Sequence, residues 1–82
     1  MPNHTIKTVT IKVFGQLSDI TGRAEWQLQA NDTDDLKSQM QTLYPALRTK
    51  NYLIAVNELL IKENTILNDA DTVALLPPFS GG

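Results

Sequence analysis

Asp71-Thr72-Val73-Ala74-Leu75-Leu76-Pro77-Pro78-Phe79-Ser80-Gly81-Gly82 closes the chain and carries two messages. Thr72 to Leu76 is apolar on both faces, the pattern of a central strand that is covered on both sides. Pro77 and Pro78 then stop the sheet ladder, because each fixes φ and neither has an N–H to donate, so the chain leaves extended. Gly81 and Gly82 lack Cβ atoms and fit a slot too narrow for any side chain. At about 3.3–3.6 Å per residue, residues 77–82 reach about 20 Å, far enough to enter another protein. The expected organisation is a globular domain over 1–76 and an extended tail over 77–82. The Gly82 carboxylate is the candidate reactive group, and Pro77, Pro78, Phe79, Ser80 and Gly81 form the part inserted into a partner.

Working backward, Leu59 to Lys62 reads as a short fourth strand and Tyr52 to Val56 as a third, with Asn57-Glu58 at a tight reversal between them. Ile66 and Leu67 are expected to plug the core from a turn, and Asn68 to Asp71 is a further turn signal. Upstream the period changes. Leu36, Met40, Leu43 and Leu47 recur at helical spacing behind the cap residues Asn31-Asp32-Thr33, with Asp34 and Asp35 at the positive end of the dipole. One amphipathic helix is expected from about Asp34 to Tyr44, where Pro45 ends it.

Before the helix, Arg23 to Ala30 alternates cleanly, with Ala24, Trp26, Leu28 and Ala30 on one face. Lys7 to Phe14 does the same with Val9, Ile11 and Val13. These are two strands, expected to be antiparallel, joined by a glycine-bounded connection over Gly15–Gly22 with Leu17 and Ile20 tucked inward. The fold class is α+β: a mixed sheet of about five strands with one helix packed on one face. A right-handed crossover through the helix is expected to set the third strand parallel to a strand it joins in the sheet, with strand order open.

Parity adds a functional expectation. If Val9, Ile11, Val13, Leu59, Ile61, Val73 and Leu75 face the helix, then Phe14, Leu60, Ala74 and Leu76 lie on the opposite face, where a solitary domain is polar. With the tail leaving beside Leu76, these four are the candidate partner interface.

Composition narrows the chemistry. The chain has 82 residues, 41% hydrophobic and 20% charged, with a formal charge of −2. That length supports one domain burying roughly 60% of its unfolded surface. The basic residues are scattered, which argues against a nucleic-acid partner. No apolar run approaches the ~18 residues of a membrane span, and the first residues carry no secretory signal, so a cytoplasmic location is expected. With no cysteine, there is no disulfide, thiolate metal site or cysteine nucleophile. The single histidine, His4, sits in an N-terminal arm without a sequence partner and reads as solvated. The carboxylate pairs Asp34/Asp35 and Asp69/Asp71 belong to a helix start and a turn, and no metal site is expected.

The chemistry then falls to the terminal carboxylate. Ionised at neutral pH, it can attack the α-phosphate of ATP held by a partner. The acyl-adenylate that results is open to a sulfur nucleophile, giving a thiocarboxylate, or to an amine, giving conjugation.

The residues now carry a resemblance. Val13-Phe14-Gly15-Gln16-Leu17 with Thr21-Gly22, Tyr44-Pro45, Ala55-Val56-Asn57-Glu58 and above all Asp71 to Gly82 resemble the small, sulfur-carrying subunits of molybdopterin synthase, members of the ubiquitin-like β-grasp group. The likeness runs from Ile11 to the end. It implies that Gly82 is adenylated and thiocarboxylated by a ubiquitin-activating-like adenylyltransferase using ATP and Mg, with sulfur from a donor protein. It implies that the tail enters a large catalytic subunit and yields sulfur to cyclic pyranopterin monophosphate, and that two subunits of each kind form a heterotetramer. The small chain itself binds no cofactor and is not the enzyme. Ala70 departs from the Asp-Gly-Asp turn usual in these chains, which bears on the turn type there. The alternatives are a thiamine-type sulfur carrier, a ubiquitin-like modifier conjugated through Gly82, and an interaction module with an inert terminus.

Overall fold

A computed structural model describes residues 7–78. His4 and the tail residues Phe79, Ser80, Gly81 and Gly82 lie outside the described residues. The strands are β1 (Thr8–Val13), β2 (Glu25–Gln29), β3 (Leu53–Val56), β4 (Leu59–Ile61) and β5 (Thr72–Leu76). Two helices, α1 (Leu17–Thr21) and α2 (Thr33–Leu43), and a 3₁₀ turn over Pro45–Thr49 complete the elements.

The strands form one mixed sheet in the order β2-β1-β5-β3-β4. β1 and β5 are parallel, and every other neighbouring pair is antiparallel. β5 is therefore the central strand, as its doubly apolar sequence implies. The crossover through α2 turns out differently from the sequence expectation. β3 hydrogen-bonds to no strand that precedes the helix, because β5 lies between β3 and β1. The sense of β3 matches that of β2, with β1 and β5 lying between them. The parallel pair is made by the first and last strands of the chain, β1 and β5.

One face of the sheet carries the core. Val9, Ile11, Val73 and Leu75 are completely buried beneath Leu36 and Met40 of α2, with Leu47 and Leu67 closing the ends. Each such side chain contributes about 1.5–3 kcal/mol on burial, so the helix is held chiefly by its apolar stripe. Its start is fixed locally: the Asp32 carboxylate accepts from the Asp35 N–H at 2.7 Å, and the Asp35 carboxylate accepts from the Asn31 N–H at 3.0 Å. The first bond satisfies a donor the helix start leaves orphaned, and the second ties the entering chain to the first turn. Buried Thr33 ties the start to the 64–65 segment, accepting from the Thr65 N–H at 2.9 Å. Trp26 is half-buried on the core side, between the Tyr44 ring at 6.0 Å and the Arg23 guanidinium at 4.4 Å.

Four further expectations need correction. Gly15–Gly22 is more than a loop: Leu17–Thr21 is a short helix, begun by the Ser18 hydroxyl donating to the Gly15 carbonyl and closed by Gly22 at φ 73°. Leu17 is buried and Ile20 packs on the core, as expected. Leu43 is exposed, since the helix ends there and Tyr44 turns inward in its place; Leu47 reaches the core from the separate 3₁₀ turn. Ile66 is exposed while Leu67 alone plugs the core, because neighbours in extended chain point opposite ways. Leu59 is opposite Val56 on the helix side by register, yet it lies at a hairpin end on an edge strand and stays 70% exposed.

Candidate functional site

The site is the sheet face turned away from α2, together with the point where the chain leaves β5. Register builds it in rows. Lys12 of β1 aligns with Ala74 of β5, Ala74 with Ala55 of β3, and Ala55 with Leu60 of β4. In the next row Leu53 aligns with Leu76, and the Phe14 N–H donates to the Leu75 carbonyl at 3.0 Å, which carries the parallel pairing one step on and sets Phe14 beside Leu76. Phe14, Leu60, Ala74 and Leu76 therefore share this outer face, with the parity expected of them.

Exposure varies across the face. Phe14 is 46% and Leu60 50% exposed, while Ala74 and Leu76 are half-buried between their neighbours. Leu53 and Ala55 also belong to it, and sequence reasoning left them unassigned. The signal was available, since alternation through Leu53-Ile54-Ala55-Val56 puts 53 and 55 together once Ile54 and Val56 are assigned to the core. This face has the two alanines at its middle, Ala55 buried and Ala74 half-buried, between Leu60 on one side and the Phe14–Leu76–Leu53 row on another. A hollow of about 350 Å³ opens at its margin, lined by Lys12, Phe14, Asn57, Glu58, Thr72 and Ala74. An apolar surface of this kind, rimmed by polar groups, is the form of a protein-binding patch.

The exit from β5 is fixed by a close approach. Gly15 has φ +61°, and a Cβ built there would stand 2.8 Å from Cγ of Pro77. Glycine is required twice over, by the backbone conformation and by the contact. Pro77 is half-buried against this turn and Pro78 is exposed. The described chain thus leaves the sheet at the Phe14–Leu76 row, on the margin of the apolar face.

Three of the four paired carboxylates have structural partners. Asp35 serves the helix start, the Asp69 carboxylate accepts from the Thr8 N–H at 2.9 Å, and Asp71 accepts from the Asn68 N–H and from the Asn57 side-chain amide. Among the described residues there is no cluster of three or more metal-ligating side chains. A second groove of about 360 Å³ runs between α2 and the β3–β4 hairpin, lined in part by Lys37, Lys50, Lys62 and Tyr52. It lies on the helix side, away from the apolar face. None of the described helices is long and apolar enough to cross a membrane.

Comparison with known proteins follows the same lines. The ThiS family profile matches residues 11–82. A molybdopterin synthase sulfur carrier subunit of Mycobacterium tuberculosis is 35% identical, with 90% of this chain and 96% of that protein covered. A chain in a solved complex of subunits 1 and 2 of molybdopterin-converting factor from Helicobacter pylori is similar at 31% identity and a TM-score of 0.73, covering 92% of this chain and 99% of that one. The solution structure of the small archaeal modifier protein 1 from Methanosarcina acetivorans is similar at 25% identity and a TM-score of 0.81, covering 96% of this chain and 100% of that one. The architecture is that of the ubiquitin-like β-grasp fold, a mixed five-stranded sheet with one main helix.

Proposed function

Because the chain belongs to the ThiS family, we propose that it is the sulfur carrier of a molybdopterin synthase, bringing sulfur on its last glycine to a larger catalytic subunit. The observation that carries this reading is the continuity of two features. The apolar outer face ends at the row from which Pro77 leads away beside Gly15. A subunit that covers Phe14, Leu60, Ala74 and Leu76 receives Pro77, Pro78, Phe79, Ser80, Gly81 and Gly82 along its own surface. The complex of two converting-factor subunits from H. pylori supports a large-subunit partner of this type.

In this scheme the chemistry runs through the Gly82 carboxylate. On an adenylyltransferase of the ubiquitin-activating type, a carboxylate oxygen attacks the α-phosphorus of Mg-bound ATP, the bond to pyrophosphate breaks, and an acyl-adenylate forms. A hydrosulfide-level nucleophile from a sulfur donor protein adds to the acyl carbon, and AMP leaves with the bonding electrons. The resulting thiocarboxylate passes its sulfur to cyclic pyranopterin monophosphate in the large subunit, water restoring the carboxylate, and two rounds complete the dithiolene. The glycines let this carboxyl carbon travel without side-chain hindrance. The small chain contributes docking and presentation, and the catalytic pocket belongs to the partner.

The test is reconstitution with the adenylyltransferase, ATP, a sulfur source, the large subunit and the precursor. The full chain supports molybdopterin formation. The chain lacking Gly81 and Gly82 supports none, yet still binds the large subunit through its outer face. Product formation by the shortened chain contradicts the reading. The likeness to the archaeal modifier favours one second reading, in which the activated Gly82 meets a lysine amine. That reading predicts isopeptide-linked ladders in pull-downs from cells, which a dedicated sulfur carrier does not give.

A further inference from the structure

The groove of about 360 Å³ between α2 and the β3–β4 hairpin has no task in the chemistry above. Three walls form it, and each supplies one lysine: Lys37 from α2, Lys50 from the segment entering β3, and Lys62 from the segment leaving β4. Seven lysines and arginines serve a chain of formal charge −2, and three of them are gathered here. Asp34 and Glu63 also line the groove, and the ammonium groups outnumber these two carboxylates. Gln41 and Tyr52, both half-buried, line it too: the Gln41 amide donates to the Tyr52 hydroxyl at 3.4 Å, and that hydroxyl keeps its own proton for an acceptor. Among the described residues the lining has neither the arginine fork nor the glycine-rich backbone cradle that suits a compact phosphate. Lysines on three separate walls suit carboxylates spread along a peptide.

Position selects the partner. Leu53 aligns with Leu76, and Ile54 with Leu75 on one side and Ile61 on the other. The presence of Leu53, Ile54 and Ile61 in the lining therefore puts the groove at the end of the sheet where Pro77 leaves. Leu53 also belongs to the outer face, and exposed Leu60 of that face lies two residues before Lys62. A protein that covers the outer face and takes in the tail thus reaches the groove around the β4 edge. We propose that an acidic segment of the large subunit docks there, its carboxylates set against Lys37, Lys50 and Lys62. The partner's identity rests on the carrier reading; the charge it must bring rests on the groove alone. Complementary charge steers an encounter and fixes its register more than it adds affinity. The outer face holds the complex, and the groove sets the orientation in which the tail end of the sheet meets the large subunit.

The test is titration calorimetry of the full chain with the large subunit over a series of salt concentrations, each variant being checked for folding by circular dichroism. Wild-type affinity is expected to fall as salt rises. The double variant Lys37→Glu/Lys62→Glu binds about tenfold more weakly at low salt, two exposed ion pairs having become repulsions, and its salt dependence flattens. Lys37→Arg/Lys62→Arg keeps both the affinity and the salt dependence, while Phe14→Ala weakens binding without flattening it. Carbodiimide coupling of the wild-type complex links Lys37, Lys50 or Lys62 to an Asp or Glu of the large subunit, identified by peptide mass spectrometry. A charge-reversed variant that binds like the wild type, or coupling that reaches none of the three lysines, overturns the proposal and leaves the carrier reading standing. So does a loss of affinity confined to the adenylyltransferase, which gives the groove to that enzyme. A wild type that does not bind the large subunit at all overturns the carrier reading itself, and the proposal with it.

Discussion

The two faces of the sheet are made by the same strands and by similar residues, yet only one is closed within the chain. On the inner face Ile11, Val73 and Leu75 are fully buried beneath Leu36 and Met40. On the outer face Phe14 and Leu60 remain about half exposed. The difference lies in what covers them. The inner face meets the stripe of α2, whose start is pinned by Asp32, Asp35 and Thr33, while no element of the described chain crosses the outer face. Side-chain alternation thus produces a core and an exposed apolar face from one strand set, and the helix decides which is which.

That contrast can be broken by substitution, and the largest effect belongs to the inner face. Leu75→Ala leaves a cavity in the completely buried layer and is expected to lower unfolding free energy by about 2–5 kcal/mol, read by urea denaturation. Phe14→Ala, one strand away on the outer face, is expected to change stability by less than about 1 kcal/mol. It should nonetheless cost about 2 kcal/mol, roughly thirtyfold, in affinity for the large subunit by titration calorimetry. If the two variants behave alike in both assays, the two faces do not have separate tasks.

Gly15 joins the two regions and sharpens the comparison. Gly15→Ala forces an L side chain into a left-handed conformation and against Pro77. The expected cost is about 1–2 kcal/mol of stability, together with a loss of sulfur transfer larger than that cost accounts for, because the tail leaves at a different angle. Denaturation and reconstituted turnover, measured on the same sample, separate the two. The smallest effect is a gain. Ala70 has φ 73° in the turn before β5, and Ala70→Gly relieves that strain at some expense in unfolded-chain entropy, for a net increase of about 0.5–1 kcal/mol. Since Ala70 touches neither face, affinity for the large subunit should stay unchanged.

What was legible in the sequence follows from which interactions are local. Two-residue alternation gave Val9, Ile11, Val13, Val73 and Leu75 their side of the sheet, and so assigned Phe14, Leu60, Ala74 and Leu76 to the other. The helix start was equally readable, because Asp32 and Asp35 act on backbone groups within their own turn. Strand order was not legible, since the insertion of β5 between β1 and β3 depends on contacts between distant segments. Leu43, Leu59 and Ile66 have core-like periodicity and are exposed, because burial also needs a covering element, and each sits where a helix, a hairpin or a turn runs out. Leu53 and Ala55 escaped for the opposite reason: their short strand is apolar throughout, and only register shows which side each one takes. The α1 helix was hidden in a segment whose glycines read as a plain loop.

The central claim is that the last glycine carries sulfur, and the intact mass of the protein purified from its own cells tests it most directly. The account predicts a species heavier by the difference between one sulfur and one oxygen, located to Gly82 by fragmentation and lost on exposure to the large subunit and its precursor. Only the unmodified carboxylate, in cells actively making the cofactor, would contradict it.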